Sequence, residues 1–254
     1  MSRGPIIAID GPAGAGKSTV ARHIAQHYGL LNLETGAMYR AFALKAILAD
    51  HDFDDAAALE RLARDTEITL EADRHGNRVL LDGTEVTERI RDSDVTQGAS
   101  RVSVHPAIRA WMVDLQRALG RCGSVVMEGR DIGTVVFPDA DVKVFLDASP
   151  EARSQRRYEQ NAVLQDPALL PASGYEQNAG ARDRLPSGDA GRAAVSQELV
   201  ERDERDRNRA ASPLRPAPDA VVIDSTHLSL DQVLARIDGI VSPLFAAQAA
   251  EKAG

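Results

Sequence analysis

The stretch Gly11-Pro12-Ala13-Gly14-Ala15-Gly16-Lys17-Ser18 follows directly on the apolar run Ile6-Ile7-Ala8-Ile9. Glycine reaches backbone angles closed to other residues and weakens any strand or helix that it interrupts. Clustered glycines therefore serve a turn or a close approach to a ligand. The flanks decide which. Residues 5–9 read as a short buried strand, and Val20, Ala21, Ile24 and Ala25 recur at helical spacing over 18–28. A strand turning sharply into a helix brings backbone N–H groups and the positive helix end to one point, where an anion can sit. The octet fits the P-loop pattern G-x-x-x-x-G-K-[ST]. In that pattern residues 11–19, from Gly11 to Thr19, cradle the phosphates of ATP, Lys17 reaches the β and γ phosphates, and the Ser18 hydroxyl helps to hold magnesium. Lys17 is one of four lysines, with Lys45, Lys143 and Lys252, in a chain that otherwise draws its positive charge from arginine.

Strand candidates at 5–9, 30–33, 124–127, 142–146 and 220–223 are each followed by a helical pattern. Such alternation predicts an α/β fold of three layers, a parallel sheet flanked by helices. The clearest helix is 106–119, where Ile108, Trp111, Met112, Leu115 and Leu119 form one apolar stripe and Trp111 reads as core. Two segments break the alternation. Residues 66–91 show period-two patterning around His75-Gly76-Asn77 and Asp82-Gly83, the marks of a small inserted antiparallel meander. Residues 163–194 are rich in Pro, Gly, Ala and Asp without a sustained period, and are expected to be mobile.

At 254 residues with 43% hydrophobic composition the chain can bury a substantial core as one domain, 1–254. No apolar run approaches the roughly 20 residues of a membrane helix, and the start leads into the first strand without a secretory pattern. Cytoplasm is the expected compartment. The net charge of −8 argues against attraction to nucleic acid polymers or anionic membranes. The lone Cys122 has no disulfide partner and reads as a small core residue. His23 and His27 stand four apart on a helix without further ligands at metal spacing, so a solvated helix face is the better reading.

Arginine supplies the remaining candidates. In "ELVERDERDRNRA", 198–210, a helix would place Arg202, Arg205, Asp206 and Arg209 on one face. Intrahelical salt bridges on a solvated helix would account for that face. A lid meeting a polyphosphate accounts for it better, given the P-loop. In "VVMEGRDIGTVVFP", 125–138, Glu128, Arg130 and Asp131 fall just past a buried strand, at the edge where open α/β sheets bind ligands. There Arg130 could grip a phosphate and Asp131 could accept from an exocyclic amine, and a structural ion pair competes evenly. "ETGAMYRA", 34–41, puts Thr35, Tyr39 and Arg40 at a helix start, with no obvious partner for Arg40.

In this order, GPAGAGKST, ETGAMYR, EGRDIGTVVFP, VKVFLDAS and ERDERDRNR resemble the bacterial cytidylate kinases, a branch of the nucleoside monophosphate kinases, over about residues 5–240. The resemblance implies transfer of the γ-phosphoryl of ATP to CMP or dCMP with magnesium. It also implies a P-loop core with an acceptor-binding region near 36–110, a helical lid near 155–212, and a monomer. Carried over by motif, Thr35, Tyr39, Arg40, Arg130 and Arg209 would surround the acceptor phosphate, and Arg202 with Asp206 would hold its ribose. Ser100, Arg109 and Asp131 would read the cytosine, and Lys17, Arg130, Arg202, Arg205 and Arg209 would serve the transfer. Thr35 stands where such families often have Ser, Glu128 where some have Asp, and segment 163–194 is an addition. A kinase for another small acceptor, such as UMP or shikimate, and a sensor that holds ATP without transferring it stay open.

Overall fold

A computed structural model describes residues 3–72, 77–165 and 189–253. Five parallel strands, β1 (Ile6–Asp10), β2 (Leu31–Glu34), β6 (Val125–Gly129), β7 (Val142–Asp147) and β8 (Val221–Asp224), form a sheet in the order β2-β6-β1-β7-β8. Every residue of the central β1 is buried, because helices cover both of its faces. Alternation along the strand then sorts its side chains into two cores. Ile6 and Ala8 join Leu33, Val125 and Met127 beneath α2 (Thr35–Leu48), α4 (Ser93–Val102) and α5 (Pro106–Gly120). Ile7 and Ile9 join Val126, Val144, Leu146 and Ile223 beneath α1 (Lys17–Tyr28) and α8 (Leu230–Ala253). The three-layer α/β architecture read from the sequence is the one observed, with strand limits one residue or less from expectation at most ends.

The meander is also present, as β3 (Ile68–Ala72), β4 (Asn77–Leu81) and β5 (Thr84–Glu85) in antiparallel order, preceded by α3 (Ala56–Arg64). Asp82 and Gly83, both at positive φ, make the two-residue turn between β4 and β5. The His75-Gly76 part of the other turn lies outside the described residues. Trp111 packs edge-on against Phe42 at 5.1 Å between ring centroids, as a core residue should.

Four expectations need correction. Cys122 is exposed, since it sits in the reversal after α5 where Gly4 N–H donates to its carbonyl at 3.2 Å. His23 does not simply face solvent: its Nε2 lies 3.0 Å from Asp238 of α8. The expected break at 163–194 is shorter at both ends, because α6 (Pro150–Gln165) runs into it and α7 (Asp189–Asn208) begins within it. Residues 166–188, the rest of that expectation, lie outside the described residues. Arg40 has a partner after all, given below.

At the tip of β1, Gly11 has φ 150°, and a Cβ there would drive into the carbonyl oxygen of Leu146 on the neighbouring strand. Backbone strain of this kind costs on the order of 1–3 kcal/mol. Gly11→Ala is expected to lower the thermal midpoint by about 2–4 °C per kcal/mol lost, as calorimetry would register.

Candidate active site

Strands β1, β2 and β6 end together, and their register decides which carboxyls meet. Glu34 at the end of β2 pairs with Glu128 of β6, whose other neighbour is Ile9, one residue before Asp10. Asp10 accepts the N–H groups of Ile132 and Gly133, each at 2.8 Å, and so pins the π-helical turn Ile132–Val136 that follows Arg130 and Asp131. Burial pushes the Asp10 carboxyl up to about 6, against those two hydrogen bonds. Burial and then the charge of Glu34 likewise push Glu128 up. Ser18 Oγ donates to Glu128 Oε1 at 2.5 Å, and Thr35 Oγ1 donates to the Glu128 carbonyl at 2.8 Å. Glu34 is held below its usual range in spite of burial, because Arg40 lies against it and Arg40 Nη2 donates to Glu34 Oε1 at 2.5 Å.

Lys17 opens α1 and is only 6% exposed. Its ammonium turns back to the Pro12 carbonyl at 2.7 Å. Burial, then the charge of Arg130, push it down to about 7, with Glu128, Arg202 and Asp10 contributing smaller effects of both signs.

The opposite wall comes from the residues after β6, from α5 and from α7. Arg130 Nε donates to Asp206 Oδ2 at 2.9 Å, and Arg209 Nη1 lies 3.4 Å from Asp206 Oδ1. Arg109 Nη2 donates to Asp131 Oδ2 at 2.5 Å, while Arg209 Nη2 stands 3.9 Å from Asp131 Oδ1. Asp131 is thus paired, but with arginines of other elements and not with its neighbour Arg130. Arg109 also reaches the Ser103 carbonyl at 3.4 Å, and Ser103 Oγ donates to the Ser100 carbonyl at 2.9 Å, which links Ser100 to this group. The Arg109 guanidinium lies 5.5 Å from the Tyr39 ring centroid, and burial pushes the Tyr39 hydroxyl up to about 12.

Among the described residues, ten buried side-chain polar atoms have no hydrogen-bond partner, and six belong to Tyr39, Arg40, Ser100, Arg109, Arg202 and Arg209. Native proteins rarely leave such groups unmade, because each costs about 1–3 kcal/mol when desolvated. Burial and then the nearby charge of Arg130 push Arg202 down to about 10, with Arg40 and Arg157 adding repulsion and Asp206 relieving some of it. Mutually repelling guanidiniums with spare donors have the chemistry to receive a polyanion. Arg205, on the same helix face, is half-buried, and its Nε donates back to the Glu201 carbonyl at 3.2 Å.

Two arginines of α6 escaped the sequence reading. Arg157 is pushed down chiefly by burial, with the charges of Arg40 and Arg91 adding to the fall and those of Glu198 and Glu34 opposing it. Arg153 is 2% exposed and reaches the Ala13 carbonyl in the P-loop at 3.1 Å. Their signal was present: they stand four apart on the first turns of a helix that leaves β7 at the same sheet edge. Among the described residues no group of three His, Cys, Asp or Glu side chains could hold a metal ion, and no helix is long and apolar enough to cross a membrane.

The family model described as "Cytidylate kinase" matches residues 7–185 and 175–242. A cytidylate kinase of Pelotomaculum thermopropionicum is 47% identical over 243 residues, covering 95% of this chain and 98% of that protein. A cytidylate kinase of Geobacillus kaustophilus is 45% identical over 242 residues, with coverage of 95% and 98%. Among solved structures, shikimate kinase from Acinetobacter baumannii aligns at a TM-score of 0.39 and 15% identity, over 96% of this chain and 94% of that one.

Proposed function

The chain belongs to the cytidylate kinase family, and from that premise we propose that it transfers the γ-phosphoryl of ATP to CMP and dCMP, giving the diphosphates, in pyrimidine nucleotide metabolism. One observation carries the reading at this site: six of the buried polar atoms without a partner belong to Tyr39, Arg40, Ser100, Arg109 and Arg202, on four helices, and to Arg209 just past the last of them. The relatives' names supply the acceptor. A cytoplasmic monomer acting on small nucleotides fits the same proposal, with 36–110 as the acceptor-binding region and 155–212 as the lid.

In this reading residues 11–19 hold the ATP phosphates through backbone N–H groups, and Lys17 leaves the Pro12 carbonyl to meet the β and γ phosphates. Ser18 Oγ and the Glu128 carboxylate, 2.5 Å apart, are the hard oxygen donors that magnesium takes, so the residues present fit that ion. When bound, magnesium neutralises phosphate charge and orients the γ group. Thr35, Tyr39, Arg40, Arg130 and Arg209 grip the acceptor phosphate, Arg202 and Asp206 hold the ribose, and Ser100, Arg109 and Asp131 read the cytosine. The acceptor phosphate has a second pKa near 6. It is therefore largely ionised at neutral pH and attacks in line without a general base. The arginines, Arg205 included in the proposed set, stabilise the charge on the group in transit, and the lid helices exclude water that would otherwise take the phosphoryl.

The test is turnover on CMP, dCMP, UMP and AMP in an assay that couples ADP release to a visible signal. CMP and dCMP are expected to lead, with UMP at least about tenfold lower in kcat/KM. Equal rates on UMP would remove the role given to Asp131, and no ADP formation with CMP and magnesium would favour the sensor.

A further inference from the structure

Arg153 is the largest fully buried side chain among the described residues, and the proposed reaction gives it no role. Its guanidinium joins three elements. Nε donates to the Ala148 carbonyl at 2.9 Å at the end of β7, Nη1 to the Ala13 carbonyl at 3.1 Å in the P-loop, and Nη2 lies 2.7 Å from Asp203 Oδ2 on α7. A small apolar cluster lies alongside, in which Ala13 packs with Val195 and Leu199 of α7. Gly14, at φ 76°, fits this junction, since a Cβ there would stand 3.1 Å from the Arg153 carbonyl oxygen and 3.2 Å from its Cβ.

We infer that Arg153 is a positioning residue which fixes the P-loop backbone and the lid helix relative to each other, so that both meet the same phosphates. The inference rests on the P-loop being the ATP site. A trans peptide is planar, and its C=O and N–H point in opposite directions. Holding the Ala13 carbonyl toward Arg153 therefore turns the Gly14 N–H the other way, toward the cradle. On the lid side, the bond to Asp203 fixes the rotation of α7 about its axis. Neighbouring positions on a helix are rotated by about 100°. Arg202, next in the chain, thereby leaves the helix on a different side, within electrostatic reach of Arg130 and Asp206, while Asp203 faces Arg153. Only a guanidinium can make all three contacts, because its donors form a planar fork and an ammonium carries its charge at one point.

Arg153→Lys, Asp203→Asn and the double variant test this, with KM for ATP and for CMP measured separately, kcat, and a thermal melt of each purified chain. Arg153→Lys is expected to raise KM for ATP about tenfold or more while KM for CMP stays within about twofold, and to lower kcat. Asp203→Asn is expected to lower kcat as the lid loses its rotation. The double variant should be no worse than the sum of a shared bond allows, that is, clearly better than the product of the two single effects. A folded Arg153→Lys chain that keeps KM for ATP within twofold or raises both KM values in parallel, or a double variant in which the two single effects multiply, would overturn the inference. Should Arg153→Lys fail to fold, Asp203→Asn decides alone: unchanged kcat refutes the coupling. A wild-type chain that shows no ATP-dependent turnover would instead remove the ATP reading beneath it.

Discussion

Lys17→Ala is expected to reduce turnover at saturating CMP by about a hundred- to a thousand-fold or more, the usual cost of removing one charge aimed at the group in transit. The fold is expected to survive. In the free protein Lys17 is buried, repelled by Arg130 and Arg202, and bonded only to the Pro12 carbonyl among the hydrogen bonds observed. Its removal costs one hydrogen bond, about 1 kcal/mol net, and relieves a cation that burial already disfavours. A stopped-time assay for CDP beside a thermal melt separates the two effects. Wild-type turnover in a folded variant would remove the phosphate cradle from the proposal, whereas lost turnover with an unchanged melting point is the expected result.

Asp131→Asn is expected to narrow the preference for CMP over UMP by about 1–3 kcal/mol, roughly five- to 150-fold. The carboxylate only accepts hydrogen bonds, so it suits the amino group of cytosine and repels the carbonyl oxygen that uracil carries at the same position. Asparagine turned suitably offers that oxygen a donor. Alanine would be the poorer probe, because the structure places the Asp131 carboxylate 2.5 Å from Arg109 and 3.9 Å from Arg209. Removing one partner of a buried pair costs about 3–5 kcal/mol, and loss of fold would mask loss of selectivity. Asparagine keeps an oxygen for Arg109. The ratio of kcat/KM for the two nucleotides is the readout, and an unchanged ratio would sink the assignment of base reading to Asp131.

The sheet, its helices and the meander were legible because their signals are local. Ile6 to Ile9 is apolar throughout as a strand covered on both faces must be, Asp82-Gly83 can hardly be anything but a tight turn, and Ile108, Met112 and Leu115 repeat at the helical period. Cys122 was misjudged for the converse reason: burial is set by what packs against a residue, and its own identity says little about that.

The sequence by itself determined that a P-loop opens an α/β sheet and that arginines gather in three segments, since both follow from residue type and spacing along the chain. It could not say how those segments pair. Only the tertiary structure set Arg40 against Glu34, Asp131 between Arg109 and Arg209, and Arg153 between the P-loop and Asp203. A tertiary ion pair or hydrogen bond acts between positions far apart in the chain, 22 residues for Arg109 and Asp131 and 140 for Arg153 and the Ala13 carbonyl. Its partner is chosen by the register of strands and the rotation of helices, which no local pattern encodes.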